Sequence, residues 1–187
     1  MQTEATKKLF SVDEYHRMAE AGILSEEIRT ELIKGEILEM SAMGARHRAA
    51  VNRASHFLIP LFGEKAQVSV QLPVRLDEFS EPQPDICFLR PRRDFYESRH
   101  PGPSDVFMIL EISDTSLHYD RDVKLDAYAG AHIREFWIED LVSKTLMVFR
   151  DPSKKTYKTS LTLRRGDVVS LLAFPEIAVQ VSELLGG

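Results

Sequence analysis

Val106-Phe107-Met108-Ile109-Leu110-Glu111-Ile112-Ser113-Asp114-Thr115-Ser116-Leu117-His118-Tyr119-Asp120-Arg121-Asp122-Val123-Lys124 is the stretch whose reading decides the fold. It opens as a short apolar run, closes at the Asp114-Thr115-Ser116 turn cluster, and so suits a strand buried on both faces. Side chains alternate along a strand, which places Phe107, Ile109, Glu111 and Ser113 on one face and Val106, Met108 and Leu110 on the other. Glu111 thus ends a buried strand, a costly place for a carboxylate unless a cation or hydrogen-bond donor meets it. The residues after the turn read as a helix with Asp120 as N-cap and Asp122 in the first turn. Asp120, Lys124 and Tyr128 then share one face, four apart.

Outward from this stretch the elements alternate in type. Upstream, Asp85 to Leu89 reads as a second strand, and its first residue is another strand-edge carboxylate with no evident partner. Gln67 to Leu76 alternates as a strand with Val68, Val70, Leu72 and Val74 on one side, and Arg90 to Asp105 is a proline-rich loop. Arg46 to Phe62 repeats apolar residues at helical spacing between Gly44 and Gly63, with His47 on the apolar face of its first turn. Taken alone, such a histidine is more often a satisfied core residue than a ligand. Arg29 to Met40 reads as a hairpin turning at Lys34-Gly35, and Ser11 with Glu14 forms a capping box that starts a helix ending at Gly22. Downstream, Gly130 stops the Lys124 helix. Glu135 to Leu141 and Thr145 to Phe149 are strands, and Tyr157 to Leu163 with Val168 to Leu172 suggest a further hairpin. Residues 176–185 are too short to assign. The whole indicates a single domain over residues 1–187, mixed α and β, with the Asp85 and Glu111 strands adjacent and both long helices packed on the sheet.

Composition narrows the classes. Hydrophobic residues make up 43% and charged residues 28% of 187 positions, ordinary for a globular chain with a substantial core. Nothing approaches the roughly 18-residue apolar run of a membrane helix, and Met1 to Leu9 lacks the apolar stretch of a signal peptide. One cysteine, Cys87, excludes an internal disulfide and fits a reducing cytoplasm, where a packed thiol is the expected state. The formal charge of −5 argues against avid non-specific binding to nucleic acid. Local basic groups do occur, at Arg90-Pro91-Arg92-Arg93 and at Lys154-Lys155 with Arg164-Arg165, each of which reads in preference as a solvated loop or hairpin.

Two strand-end carboxylates followed by a lysine match in type what a magnesium site needs. Hard oxygen ligands hold the ion, which activates water and shields phosphate charge, and a lysine adds positive charge in the transition state. A buried structural ion pair would look the same. The order Pro84-Asp85, then Glu111-Ile112-Ser113, resembles the signature of the PD-(D/E)XK nuclease superfamily. The surrounding text is similar, more closely, to the Uma-type putative restriction endonuclease family. The matching stretches are Glu31-Leu32-Ile33-Lys34-Gly35-Glu36, His47, Glu81-Pro82-Gln83-Pro84-Asp85-Ile86, Leu110-Glu111-Ile112-Ser113, Tyr119-Asp120-Arg121-Asp122-Val123-Lys124, Tyr128 and Glu135-Phe136-Trp137-Ile138-Glu139-Asp140. They span roughly residues 11–150.

The resemblance implies a restriction-endonuclease-like core, a mixed central β-sheet flanked by helices. It implies a Mg2+-dependent endonuclease (Mn2+ also serving) acting on nucleic acid, DNA foremost; oligomeric state stays open, although cutting both strands of a duplex would favour a homodimer. Asp85 and Glu111 would be the metal ligands, and Glu31, Asp85, Glu111 and Lys124 the catalytic set, with His47 and Asp120 as accessories. The usual pattern puts the lysine two residues after the second acid. Ser113 stands there instead, and Lys124 on the following helix is the available substitute, its removal expected to spare folding. A non-catalytic member of the fold, binding DNA or protein, is the alternative reading. A hydrolase of another phosphorylated substrate is a third.

Overall fold

A computed structural model describes residues 6–25, 27–114 and 116–186. The start of the Met1–Leu9 stretch and Thr115 of the turn cluster lie outside the described residues. The order of elements is α1 (Val12–Glu20), β1 (Thr30–Ile33), β2 (Glu36–Glu39), α2 (Ala45–Phe62), β3 (Gln67–Val70), β4 (Ile86–Leu89), β5 (Val106–Ser113), α3 (Leu117–Tyr119), a π-helical turn (Asp120–Lys124), α4 (Leu125–Gly130), β6 (Glu135–Asp140), β7 (Thr145–Pro152), β8 (Tyr157–Leu163), β9 (Val168–Leu171), β10 (Phe174–Gln180) and α5 (Val181–Leu185).

Six strands form one mixed sheet in the order β3-β4-β5-β6-β7-β8. Only β5 and β6 run parallel in it. A parallel pair requires a crossover, and the helical segment from α3 to α4 supplies it. β5 and β6 are buried along almost their whole length, as their continuous apolar runs require. On one face Met108, Leu110, Ile112 and Trp137 pack under α2 and α5, through Ala50, Val51, Ala54, Leu58 and Leu184. On the other, Ile109, Phe136 and Ile138 pack against Leu125, Tyr128 and Ala129 of α4. Each large side chain so buried contributes about 1.5–3 kcal/mol. The α1 capping box forms as read, Ser11 Oγ accepting from Glu14 N–H and Glu14 Oε2 from Ser11 N–H. The β1–β2 hairpin also forms, with Lys34 and Gly35 both at positive φ (51° and 78°) as a two-residue turn demands.

Four local readings change. β5 carries a bulge at Phe107, because Phe88 pairs with Met108 but Leu89 with Val106. The extra residue reverses the alternation at that end, so Val106 joins the Ile109 face and Phe107 the Met108 face. β3 stops at Val70 rather than Leu76. Its partner segment contains Pro82 and Pro84, which have no N–H to give a ladder, and Gln71 turns the chain at φ 53°. Val74 and Leu76 instead donate singly to Pro82 O and Ser80 O. β8 pairs with β7 and β9 with β10, so residues 157–172 are not a hairpin; β9 is held by Arg150 Nη2 donating to Ser170 O, and Leu172 N–H just beyond it donates to Glu135 Oε2. Finally, Asp120 is no N-cap. Ser116 occupies that position and Asp120 lies one turn inside the helix.

Candidate active site

The register of the sheet assembles the site. β4 and β5 pair antiparallel with Ile86 opposite Leu110, so one further step sets Asp85 opposite Glu111. The backbone then joins them: Ile112 N–H donates to Asp85 Oδ2 (2.9 Å), and Asp85 N–H points at Glu111 Oε2 (3.4 Å). Two carboxylates read from distant parts of the chain therefore stand side by side, as the pairing of the two strands predicts.

Lys124 enters from the crossover. Its Nζ donates to Glu111 Oε1 (3.0 Å) and lies 3.6 Å from Glu31 Oε2. Tyr128 OH donates to the same Glu111 oxygen (2.7 Å), and Tyr119 OH to Glu31 Oε1 (2.9 Å). Ser116 Oγ donates to Asp120 Oδ2 (2.7 Å), and the Ser113 hydroxyl lies beside it. The π-turn makes this convergence. By widening one turn of the helix, it brings Tyr119, Asp120, Lys124 and, one turn on, Tyr128 toward the same point. Glu31, Glu111, Asp120 and Lys124 are each only 2–4% exposed. Glu31 is therefore buried, not the exposed hairpin carboxylate that β1 alone would equally allow.

Asp85 sits at the other end of the cluster. Its Oδ1 accepts from His47 Nε2 (2.9 Å) on the first turn of α2 and from Gln71 Nε2 (3.1 Å). His47 is thus half-buried against an acid rather than a core histidine. The expectation that Asp85 and Glu111 lack fixed partners is corrected: both are held by side chains and backbone.

The electrostatics follow from burial and crowding. Burial raises Glu111 and Asp120 above the ordinary carboxylate range, against the pull of Lys124. Burial would depress the Lys124 ammonium, yet Glu111, Glu31 and Asp120 around it hold it above the ordinary lysine range. His47 is raised chiefly by its bond to Asp85, and Asp85 is lowered despite its burial by that same bond. Perturbed groups gathered in one cleft are the usual mark of a functional site.

The cluster opens into a cleft of about 650 Å³, lined among others by Arg29, Glu31, Gly44, His47, Asp85, Glu111, Asp120 and Lys124. α2 begins there, at Gly44, with no acidic residue in its first turn. Its amide dipoles therefore present positive potential to the cleft. Sequence reasoning assigned no role to Gln71, Gln83, Ser116, Tyr119 or Tyr128. Gln83 N–H donates to Glu31 Oε2 (3.1 Å). The four-residue spacing of Tyr128 after Lys124 was the available signal for that residue, whereas Gln71 falls in a stretch that reads as a strand but turns there at φ 53°, and Gln83 lies on irregular chain between two prolines.

This arrangement defines a class: a mixed sheet with paired acids on adjoining strands, a third acid from a preceding hairpin and a lysine from the crossover, a restriction-endonuclease-like core. Residues 12–182 match the model of the Uma2 family, described as "Putative restriction endonuclease", and the chain belongs to that family. The fold is similar to the crystal structure of "a putative nuclease belonging to DUF820 from Anabaena variabilis ATCC 29413", with a TM-score of 0.68 and 15% identity, over 94% of this chain and 97% of that one. No curated protein matches the chain. Among the described residues no helix is long and apolar enough to cross a membrane.

Proposed function

We propose that the chain is a divalent-metal-dependent endonuclease, hydrolysing phosphodiester bonds of nucleic acid and of DNA foremost. The observation that carries this reading is the charge balance of the cleft. Glu31, Asp85, Glu111 and Asp120 converge from a hairpin, two strands and a helix, against the buried Lys124 ammonium, His47 and, at the cleft wall, Arg29. The uncompensated acid is the environment that a hard cation completes, and its donors are all oxygen, as Mg2+ or Mn2+ prefers. Asp85 and Glu111 would hold the ion, with Glu111 Oε2 the carboxylate oxygen least committed to other partners. Bound there, it would shield the phosphodiester and acidify a water.

The chain's own residues then take distinct parts. Lys124 keeps positive charge beside Glu111, where negative charge grows on the phosphate. Glu31, fixed by Tyr119 and Gln83, keeps Lys124 protonated and aimed. His47 and Gln71 orient Asp85, and His47 keeps it ionised. Asp120 supports Lys124 from the helix. Arg29 at the cleft wall and the first turn of α2 would meet the phosphate backbone. Membership of the Uma2 family supports the same reading.

We further propose that residues 1–187 form one domain and that it works in the cytoplasm as a homodimer, the arrangement that cutting both strands of a duplex favours. The test is cleavage of single- and double-stranded DNA and of RNA by wild type and Glu111→Ala, with Mg2+, with Mn2+ and with chelator. Metal-dependent cleavage lost in Glu111→Ala is the expected result. Binding of nucleic acid without cleavage under any condition would replace the enzyme with a non-catalytic binding module.

A further inference from the structure

Away from the cleft, three elements bring together His16 of α1, Glu81 on the segment leading to Asp85, and His100 near the end of the 90–105 loop. One ligand atom from each lies within 4.8 Å of the other two. None of the three lines the acidic cleft. We propose that they form a second metal site, for a Zn2+-class transition ion, which clasps the 90–105 loop to α1.

The Glu81 carboxylate carries the argument. It is 3% exposed, and Oε1 takes the His16 Nε2 contact at 2.6 Å. Oε2 is buried with no hydrogen-bond partner among the described residues. A buried carboxylate oxygen left unpaired costs free energy of about 1–3 kcal/mol or more, and an ion between this group and the two imidazoles would remove that cost. The backbone here is already fixed: Glu81 N–H donates to Leu32 O (2.7 Å), and Arg99 Nη1 donates to His100 O (3.0 Å).

The donor set selects the ion. Two imidazole nitrogens with one carboxylate suit zinc, cobalt or nickel, whereas Mg2+ and Ca2+ favour oxygen alone. Ligand atoms of a tetrahedral zinc site stand about 3.4 Å apart for bonds of 2.0–2.1 Å. The His16–Glu81 separation of 2.6 Å is shorter than that value, and the remaining separations lie within 4.8 Å. The rings of His16 and His100 are 5.7 Å apart at 72°, edge to face, and His100 is exposed. Rotation of that exposed ring brings the third nitrogen in. Three protein ligands leave the fourth position to water.

The experiment is titration of the chelator-stripped full chain with Zn2+ by calorimetry and with Co2+ by visible absorption, for wild type, His16→Ala, His100→Ala and Glu111→Gln. One equivalent bound in wild type and in Glu111→Gln, with tetrahedral Co2+ bands, is the expected result. Each histidine variant should bind more than about 100-fold more weakly, since even partners beyond the ligands are worth about 10–100-fold in affinity. Zn2+ should also slow tryptic cleavage after Arg92 and Arg93 in wild type and not in His100→Ala. Undiminished binding in both histidine variants, or no binding by wild type, overturns the proposal. Loss of Zn2+ in Glu111→Gln alone would assign the ion to the cleft and overturn it equally. The outcome does not depend on whether the cleft cuts nucleic acid.

Discussion

Lys124→Met tests the centre of the cluster most directly. Methionine keeps most of the stem volume and removes the charge. Lys124 is 3% exposed, and its ammonium lies 3.0 Å from Glu111 and 3.6 Å from Glu31. Its loss strands two buried carboxylates, each still hydrogen-bonded to a tyrosine but facing the other without a cation between them. Removing one partner of a buried ion pair costs about 3–5 kcal/mol. For a chain of this length each kcal/mol moves the melting temperature by about 2–4 °C, so the fall is about 6–20 °C. That is the opposite of the fold-neutral outcome expected from the sequence, where Lys124 had no visible depth. The assay is urea and thermal unfolding at neutral pH, run also on Glu111→Gln and on the double variant. A cycle with at least about 1 kcal/mol of coupling is expected for groups in contact. A cost below about 1 kcal/mol in Lys124→Met, the range of a solvated surface pair, would refute the reasoning.

Three further outcomes follow from other parts of the structure. Glu139 is fully buried beside Arg53, and burial, against the opposing pull of Arg53, raises its carboxyl from 4.5 to about 7. The folded state therefore holds this proton more tightly than the unfolded one. Stability should fall by about 3 kcal/mol as pH rises through that window; unfolding free energies measured across it should lose this decline in Glu139→Gln, and parallel curves would count against it. A methyl at Gly35, at φ 78°, would meet Leu9 Cβ at 2.6 Å. Gly35→Ala should thus cost about 1–3 kcal/mol in urea unfolding, and an unchanged midpoint would show that the turn is not fixed as described. Calorimetry with Mg2+ should show binding to wild type weakened at least about tenfold in Asp85→Ala, and equal affinities would remove Asp85 as a ligand.

The sequence by itself determined what local chemistry determines. The capping box at Ser11 and Glu14, the Lys34-Gly35 turn, the long α2 and the buried β5 follow from periodicity and from the few residues able to adopt special backbone angles. The types of residue in the cleft were also legible, because a carboxylate within or just before an apolar strand, as Glu111 and Asp85 are, stands out against its neighbours. Depth and partners were not legible. Glu31 on its hairpin has the same local sequence whether exposed or buried, and only its packing under Tyr119 and Lys124 decides which. The π-turn at Asp120–Lys124 has no signature in the helical period, yet it aims four side chains at one point. The Phe107 bulge, the end of β3 at Gln71 and the pairing of β9 with β10 rather than β8 depend on which backbone donors remain free after distant strands have paired. Those choices belong to tertiary structure, because a hydrogen bond between remote segments is settled by competition across the whole sheet.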